Sequence, residues 1–299
     1  MCGLFCIFGS DINSQDKDLT IKSLKKLKHR GPDSSKILKF QNNCIFGHNR
    51  LKIIDPSNNA NQPISNQRYS IIYNGMLYNY LELRKELVKF YKFKTYSDTE
   101  VILAAYTVWG NSAFKKFNGM FSIIIYDLKN NKITCVRDQL GIKQLYYCIK
   151  KNKIYFSSEI NPLLTIINNL PNDNIIFKYL KYDAYEAENE TFFKNIQQVK
   201  PGEFLEIKKN LSINNYKYWN LFEVINSNDD KFESKSKSIE KLKKNLSSIS
   251  TKFNRSDFKT GILLSSGTDS NLLRECLEKK NNLNNYFTWG YEDNQKDEF

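Results

Sequence analysis

Histidine is almost missing from this chain of 299 residues, which has only His29 and His48. None of its six cysteines (Cys2, Cys6, Cys44, Cys135, Cys148 and Cys276) forms a Cys-x-x-Cys pair. These shortages exclude the usual structural zinc site, which draws Cys and His ligands from closely spaced pairs, and no metal-binding residue is assigned. No run of about 18 apolar residues occurs, so no membrane span is expected. A basic segment followed by an apolar stretch is also missing at the start, so no secretory signal is read. Both absences point to the cytoplasm. The cysteines other than Cys2 are accordingly expected to be reduced and mostly buried.

What is present suits a globular protein. Hydrophobic residues make up 40% of the chain, with 20 Phe and 18 Tyr, more than a disordered chain carries. The net charge of +13 raises the question of a nucleic-acid partner. The lysines are scattered through an Asn- and Lys-rich sequence, however, and no single element gathers them. No nucleic-acid partner is expected.

Residues 2–9 read as a strand, and Leu19 to Lys28 has helical spacing closed by His29-Arg30-Gly31-Pro32-Asp33. Asn43 to Ile54 is strand-like. Tyr69 to Tyr73 is a short apolar run that Asn74-Gly75 ends, placing those two residues at a strand-to-helix corner. Leu77 to Phe90 fits an amphipathic helix. Ser97-Asp98-Thr99-Glu100 has capping-box spacing and should start another. Two hairpins follow, Phe121–Tyr126 with Ile133–Val136 and Leu145–Ile149 with Ile154–Ser157. Gly202 to Ile207 adds a strand. Many antiparallel strands with two or three helices suggest helices packed outside two stacked sheets. Asn226 to Ser238 reads as a polar linker. Ile239 to Ile249 is helical in pattern, Phe258 to Leu264 a strand, Ser265 to Asp269 a small-residue turn, and Ser270 to Lys280 a helix. That is the opening of a doubly wound α/β domain, and the chain is expected to stop inside it.

Cys2 follows the initiator Met, which is normally trimmed before a small residue. The mature chain would then carry a thiol and a free α-amine on one residue, a nucleophile with its own general base. Equally, Cys2 is the first residue of a buried strand. Three other segments have the same double character. Arg50 is either an ordinary exposed strand residue or a partner for a carboxylate in bidentate fashion. Asn74-Gly75 is either a tight turn or, through the Asn74 side chain and the Gly75 N–H, an oxyanion hole. Asp98 either favours a helix N-terminus or holds an ammonium group. Taken together they supply what a cysteine attacking the carboxamide of a free amino acid requires, and the inferred substrate is glutamine.

These segments, with His29-Arg30-Gly31-Pro32-Asp33, His48/Arg50/Leu51 and Arg137-Asp138-Gln139-Leu140-Gly141, resemble class II glutamine amidotransferases, which are N-terminal-nucleophile hydrolases. The resemblance covers residues 2 to about 210. It implies an α+β four-layer αββα domain over 2–210, with Cys2 as nucleophile and Asn74 and Gly75 as oxyanion hole. The implied glutamine contacts are Arg50, Leu51, Lys52, Ile53, Ile54, Asn74, Gly75, Met76 and Asp98. Met76 departs from the family's usual Asn-Gly-Glu. Residues 211–238 then serve as connecting segment and linker, and 239–299 as an incomplete synthetase domain.

The loop Leu264-Ser265-Ser266-Gly267-Thr268-Asp269-Ser270 offers N–H groups at a helix start, which suits phosphate, or is an ordinary turn. It resembles the Ser-Gly-Gly-x-Asp-Ser loop of ATP pyrophosphatases, with Ser266 in place of the first Gly. Trp289, in the segment resembling the adenine-side strand, joins these residues as an ATP contact. The two halves in this order resemble the glutamine-hydrolysing asparagine synthetase family. That resemblance implies glutamine, aspartate and ATP as substrates, Mg²⁺ with the ATP, and room for a homodimer. An acceptor carboxylate other than aspartate, or an inactive glutamine-binding fragment, are the competing readings.

Overall fold

A computed structural model of the protein describes residues 1–184, 189–227, 234–278, 285–288 and 290. The chain divides into two compact units, Met1–Leu221 and Phe222–Phe299.

Among the described residues, the first unit is built on twelve strands. They are β1 (Gly3–Gly9), β2 (Ser34–Phe40), β3 (Cys44–Arg50), β4 (Ile64–Ser65), β5 (Tyr69–Leu77) and β6 (Gly119–Asp127). After them come β7 (Lys132–Arg137), β8 (Tyr146–Lys150), β9 (Lys153–Ser157), β10 (Gln197–Gln198), β11 (Glu203–Lys208) and β12 (Ile213–Lys217). Its helices are α1 (Ser14–Lys26), α2 (Tyr80–Leu87), α3 (Asp98–Trp109), α4 (Ile160–Leu163) and α5 (Asp173–Tyr182). One sheet has the order β10-β8-β9-β1-β3-β2 and the other β12-β11-β7-β6-β5-β4. All the pairings in both are antiparallel.

Three apolar clusters separate four layers. Leu4, Cys6, Phe8 and Phe46 of one sheet meet Ile72, Ile124, Tyr126 and Cys135 of the other. Phe5, Ile7 and Ile45 point the opposite way, against Leu24 of α1 and Leu163 of α4. Ile71, Tyr73, Ile123 and Ile125 face Leu83 of α2 and Val101 to Ala105 of α3. Every residue of β1 is buried because each face of its sheet is covered, which is why its sequence is a continuous apolar run and not an alternating one. The fold is the expected αββα sandwich.

Local boundaries differ from the sequence expectations for identifiable reasons. Helix α1 starts at Ser14, not Leu19, because Asn13 and Asp16 close a reciprocal capping box. The box expected at Ser97 is half made. Ser97 Oγ accepts from Glu100 N at 3.3 Å, but the Glu100 carboxylate turns back to the N–H groups of Lys94 and Thr95. Asn74-Gly75 does not end its strand, since β5 runs on to Leu77 with Asn74 opposite Ser122 and Gly75 opposite Phe121. A Cβ on Gly75 would lie 2.1 Å from Met120 O, so the glycine serves a close strand approach and not a turn. The helical content exceeds the two or three helices expected.

The second unit begins within α6 (Leu221–Ser227) and holds α7 (Lys235–Phe253), β13 (Gly261–Leu263), α8 (Thr268–Glu278) and β14 (Asn285–Phe287). Strands β13 and β14 pair in parallel across α8, the βα-type order of the expected α/β opening. The segment expected as linker, 226–238, is helical at both ends, and residues 228–233 lie outside the described residues. No helix among the described residues is long and apolar enough to cross a membrane.

Candidate active site

Cys2 stands immediately before β1. Its Sγ sits between the N–H of Leu51, at 3.5 Å, and the carbonyl of the same residue, at 3.7 Å. Arg30 Nε donates to the Cys2 carbonyl at 3.0 Å, and Arg30 is itself held by Glu159 at 2.8 Å. Burial pushes the Cys2 thiol up, opposed by the Leu51 N–H, the nearby terminal amine and Arg50. A thiol so placed is protonated near neutral pH and needs a base to attack.

A cavity of about 60 Å³ adjoins the thiol, lined by Cys2, Arg50, Leu51, Ile53, Ile54, Asn74, Gly75, Met76 and Asp98, among others. The fold therefore gathers nearly all of the sequence-derived site. Lys52 is the exception. Its N–H donates to Asp33 at 2.7 Å and its Nζ reaches out to Asn58, so only the residues on either side of it line the cavity.

Asn74 follows Ile72 of the inter-sheet core by two residues and keeps the same strand face. Its side chain is 1% exposed, and neither Oδ1 nor Nδ2 has a hydrogen-bond partner. Buried amides are nearly always paired, and an orphan costs about 1–3 kcal/mol. On the outer edge of β5, Tyr73 N donates to Gln62 Oε1 at 2.6 Å and Leu77 N to Asp98 Oδ2 at 3.1 Å. By strand alternation the Gly75 N–H lies between them on that same edge.

Arg50 is buried, not exposed. Its Nη1 donates to Ser57 O and Asn61 Oδ1, and its Nη2 to Ile54 O and Asp55 O, at 2.5–3.0 Å. These bonds use its four terminal N–H donors. A bidentate clasp of a carboxylate by both terminal nitrogens is therefore closed. Arg50 instead shapes the 54–61 loop and brings its charge to the cavity. Asp98, at the start of α3, accepts from the Tyr73 hydroxyl at 2.9 Å as well as from Leu77 N, and burial raises its pKa. The cavity lining thus includes a cation and a carboxyl. It also includes apolar residues, with Met76 opposite Met120 across the β5–β6 pair.

The sequence reading missed Met1, Gln62, Tyr73, Ser97, Thr99, Met120 and Lys143, which also line the cavity. Lys143 follows the Arg137–Gly141 motif. Asp138 accepts from the N–H groups of Phe121, Leu140, Ile142 and Lys143, which folds that turn over Cys2. The motif was visible, but not the residue it delivers.

The expected ATP loop belongs to the second unit. Ser265 N donates to Ser270 Oγ at 3.2 Å and Gly267 N to Ser265 Oγ at 3.2 Å, so two of its N–H groups are engaged by its own side chains. Ser266 does not adopt positive φ, so replacing glycine there introduces no backbone strain. Trp289 lies outside the described residues. Among the described residues no cluster of three His, Cys, Asp or Glu side chains could hold a metal ion, so the Mg²⁺ expected with ATP is assigned no ligands.

A glutamine amidotransferase domain model matches residues 1–219. Asparagine synthetase [glutamine-hydrolyzing] 1 of Bacillus subtilis is 31% identical over 98% of this chain and 46% of its own length. Putative asparagine synthetase [glutamine-hydrolyzing] 2 of Methanocaldococcus jannaschii is 33% identical over 97% of this chain and 59% of its own length. The chain thus spans about half the length of these relatives. Among solved structures, the glutamine phosphoribosylpyrophosphate amidotransferase of B. subtilis superposes with a TM-score of 0.55 at 18% identity, covering 96% of this chain and 65% of that one. That likeness concerns the fold, which is the N-terminal-nucleophile type. The family match over most of the chain decides the family, and the cavity at Cys2 agrees with it: this chain belongs to the glutamine amidotransferases.

Proposed function

We propose that the first unit hydrolyses glutamine to glutamate and ammonia, with Cys2 as nucleophile. The observation that carries this reading is the orphaned Asn74 amide in the Cys2 cavity. A donor kept buried and unpaired is preorganised for charge that develops only during reaction. Met1 lines the same cavity, whose 60 Å³ is room for a few waters. Removal of Met1 opens the site and exposes the Cys2 amine. That amine takes the thiol proton as Sγ attacks the glutamine Cδ. The oxyanion then faces Asn74 Nδ2 and the Gly75 N–H. Collapse to the γ-glutamyl thioester passes the proton to the leaving ammonia, and water releases glutamate. Asp98 and Arg50 supply the charges that suit the α-ammonium and α-carboxylate.

For the ammonia, the reading is amidation of aspartyl-AMP, formed from ATP and aspartate, to give asparagine. Homology to proteins named asparagine synthetase supports it, as does the Leu264–Ser270 loop before α8. The Met76 and Ser266 departures, and 32% identity over 67% of the chain to amidase chry2 of Gibberella zeae, favour as second reading a different carboxylate acceptor.

Glutamate release by the chain is the test. It should be measurable with glutamine alone and vanish in Cys2→Ala. Activity that survives this substitution, or a complete lack of it in the chain with Met1 removed, sinks the glutaminase reading. Glutamate without asparagine, when aspartate, ATP and the remainder of a synthetase domain are supplied, sinks the aspartate assignment alone.

A further inference from the structure

Lys143 has no task in the reaction outlined above, yet it is placed with care. It is 6% exposed and lines the Cys2 cavity. Its Nζ donates to Met1 Sδ at 3.0 Å, a thioether and therefore a weak acceptor. Among the described residues no carboxylate lies within ion-pair distance of it. A buried ammonium without a carboxylate partner is costly.

The turn that presents it is held firmly. The Asp138 carboxylate gathers four backbone N–H groups, the one from Lys143 at 2.9 Å. Arg137 Nη2 donates to Gly141 O at 2.7 Å. Gly141 has φ +69°, and a Cβ there would meet Pro201 at 2.8 Å, so the turn requires glycine. Lys143 is thus aimed at the amino terminus by fixed backbone.

We propose that Lys143 is a positioning residue for the proton chemistry of Cys2, its ammonium set against the amino terminus so that the Cys2 amine stays uncharged and the thiolate meets a cation. This rests on the reading of Cys2 as glutaminase nucleophile after loss of Met1. That loss removes the thioether acceptor and leaves Nζ facing the cavity. A neighbouring cation disfavours protonation of an amine and favours ionisation of a thiol, so one charge promotes both states that attack requires. At the amine of Met1, one residue before the Cys2 amine, the charge of Arg30 acts in the same direction as Lys143, and Cys2 and Asp33 oppose it. Asp98 opposes and Arg50 assists ionisation of the thiol. Arg30 is partly neutralised by its pair with Glu159, whereas Lys143 has no such pair. Burial and Arg30 hold the Lys143 pKa down, against Asp138 and Cys2.

The test uses the whole chain, with Met1 removal verified by intact mass. Glutaminase kcat/KM and the rate of Cys2 alkylation by iodoacetamide are each followed against pH for the unsubstituted protein, Lys143→Met and Lys143→Arg. In Lys143→Met, neutral-pH kcat/KM should fall about tenfold, the effect of one pK unit. The acid limb and the alkylation profile should both move to higher pH. Lys143→Arg should restore most of each. Lys143→Gln is read the same way where the Met variant does not fold. Unmoved profiles in a folded Met or Gln variant overturn the proposal, and so does a folded Lys143→Arg that behaves like them. Should glutaminase activity be lacking altogether, the alkylation profile still decides the effect of Lys143 on the thiol, so the two failures are distinguishable.

Discussion

The Tyr73 hydroxyl donates to Asp98 Oδ2 at 2.9 Å, and the same oxygen accepts from Leu77 N at 3.1 Å. Tyr73 and Leu77 bracket Asn74-Gly75 on β5, so one carboxyl of α3 clamps the strand on both sides of the proposed oxyanion donors. Tyr73→Phe should therefore reduce kcat by about tenfold, less than the ~10²-fold of a 1 Å misplacement. It should leave KM for glutamine nearly unchanged, because Asp98 and its charge remain. A stability loss of about 1–3 kcal/mol is expected for the lost bond. Steady-state kinetics with urea unfolding checks both, and a variant with raised KM and unaltered kcat would show that Asp98 acts without the clamp.

Asn74 separates function from stability. Its amide is buried and unpaired, so Asn74→Ala removes a group that weakens the ligand-free fold. The variant should lose about 10²–10³ in kcat, the usual effect of one oxyanion donor. Its unfolding midpoint should be equal to or above that of the unsubstituted chain, apart from the small cavity created. A large loss of stability with little loss of kcat would mean that Asn74 is a structural residue.

Cys2, Arg50, Asn74, Gly75 and Asp98 of this cavity were legible in the sequence because the proposed chemistry asks for particular side chains: a thiol at position 2, an amide before a glycine, a carboxylate and a guanidinium. Their settings were less so. Asn74-Gly75 reads locally as a turn, but strand β6 lies beside it and only glycine admits Met120 O at that distance, a long-range contact that no local pattern records. Arg50 has the charge that a carboxylate requires, but its terminal N–H groups go to carbonyls of a loop whose path is set by tertiary structure. Lys143 escaped notice because a lysine two residues past a glycine is ordinary until the turn carries it to Cys2. The sandwich was readable from the many antiparallel strands with few helices, and the continuous burial of β1 agrees with it.

Arg50 should respond as a loop organiser. Arg50→Lys keeps the charge but has three donors in place of a planar fork, so at least one of the four acceptors now bonded loses its partner. About 1–3 kcal/mol of stability should be lost for each acceptor left buried and unpaired. KM for glutamine should rise more than kcat falls, because the loop residues Ile53 and Ile54 shape the cavity. Thermal unfolding and glutamine titration read the two effects. If KM rises while stability is unaffected, Arg50 contacts the substrate directly and has little hold on the loop.

His48 lies beneath the same strand and gives the fold a pH dependence. It is 1% exposed, and its Nε2 is 3.1 Å from Tyr73 O, so the neutral ring donates its Nε2–H to that carbonyl. Burial pulls its pKa from 6.5 to about 4. Between those values the unfolded chain binds a proton that the folded chain does not, so the slope of stability against pH is positive there. The contribution is complete above about pH 6.5 and is lost as pH falls towards 4, amounting to roughly 3 kcal/mol at 1.36 kcal/mol per unit. In His48→Gln, whose amide can still donate to Tyr73 O, this part of the slope should vanish. Urea unfolding at intervals from about pH 4 to 7 would measure it. Parallel slopes in the two proteins would mean that His48 is protonated in the fold and that other groups govern its acid lability.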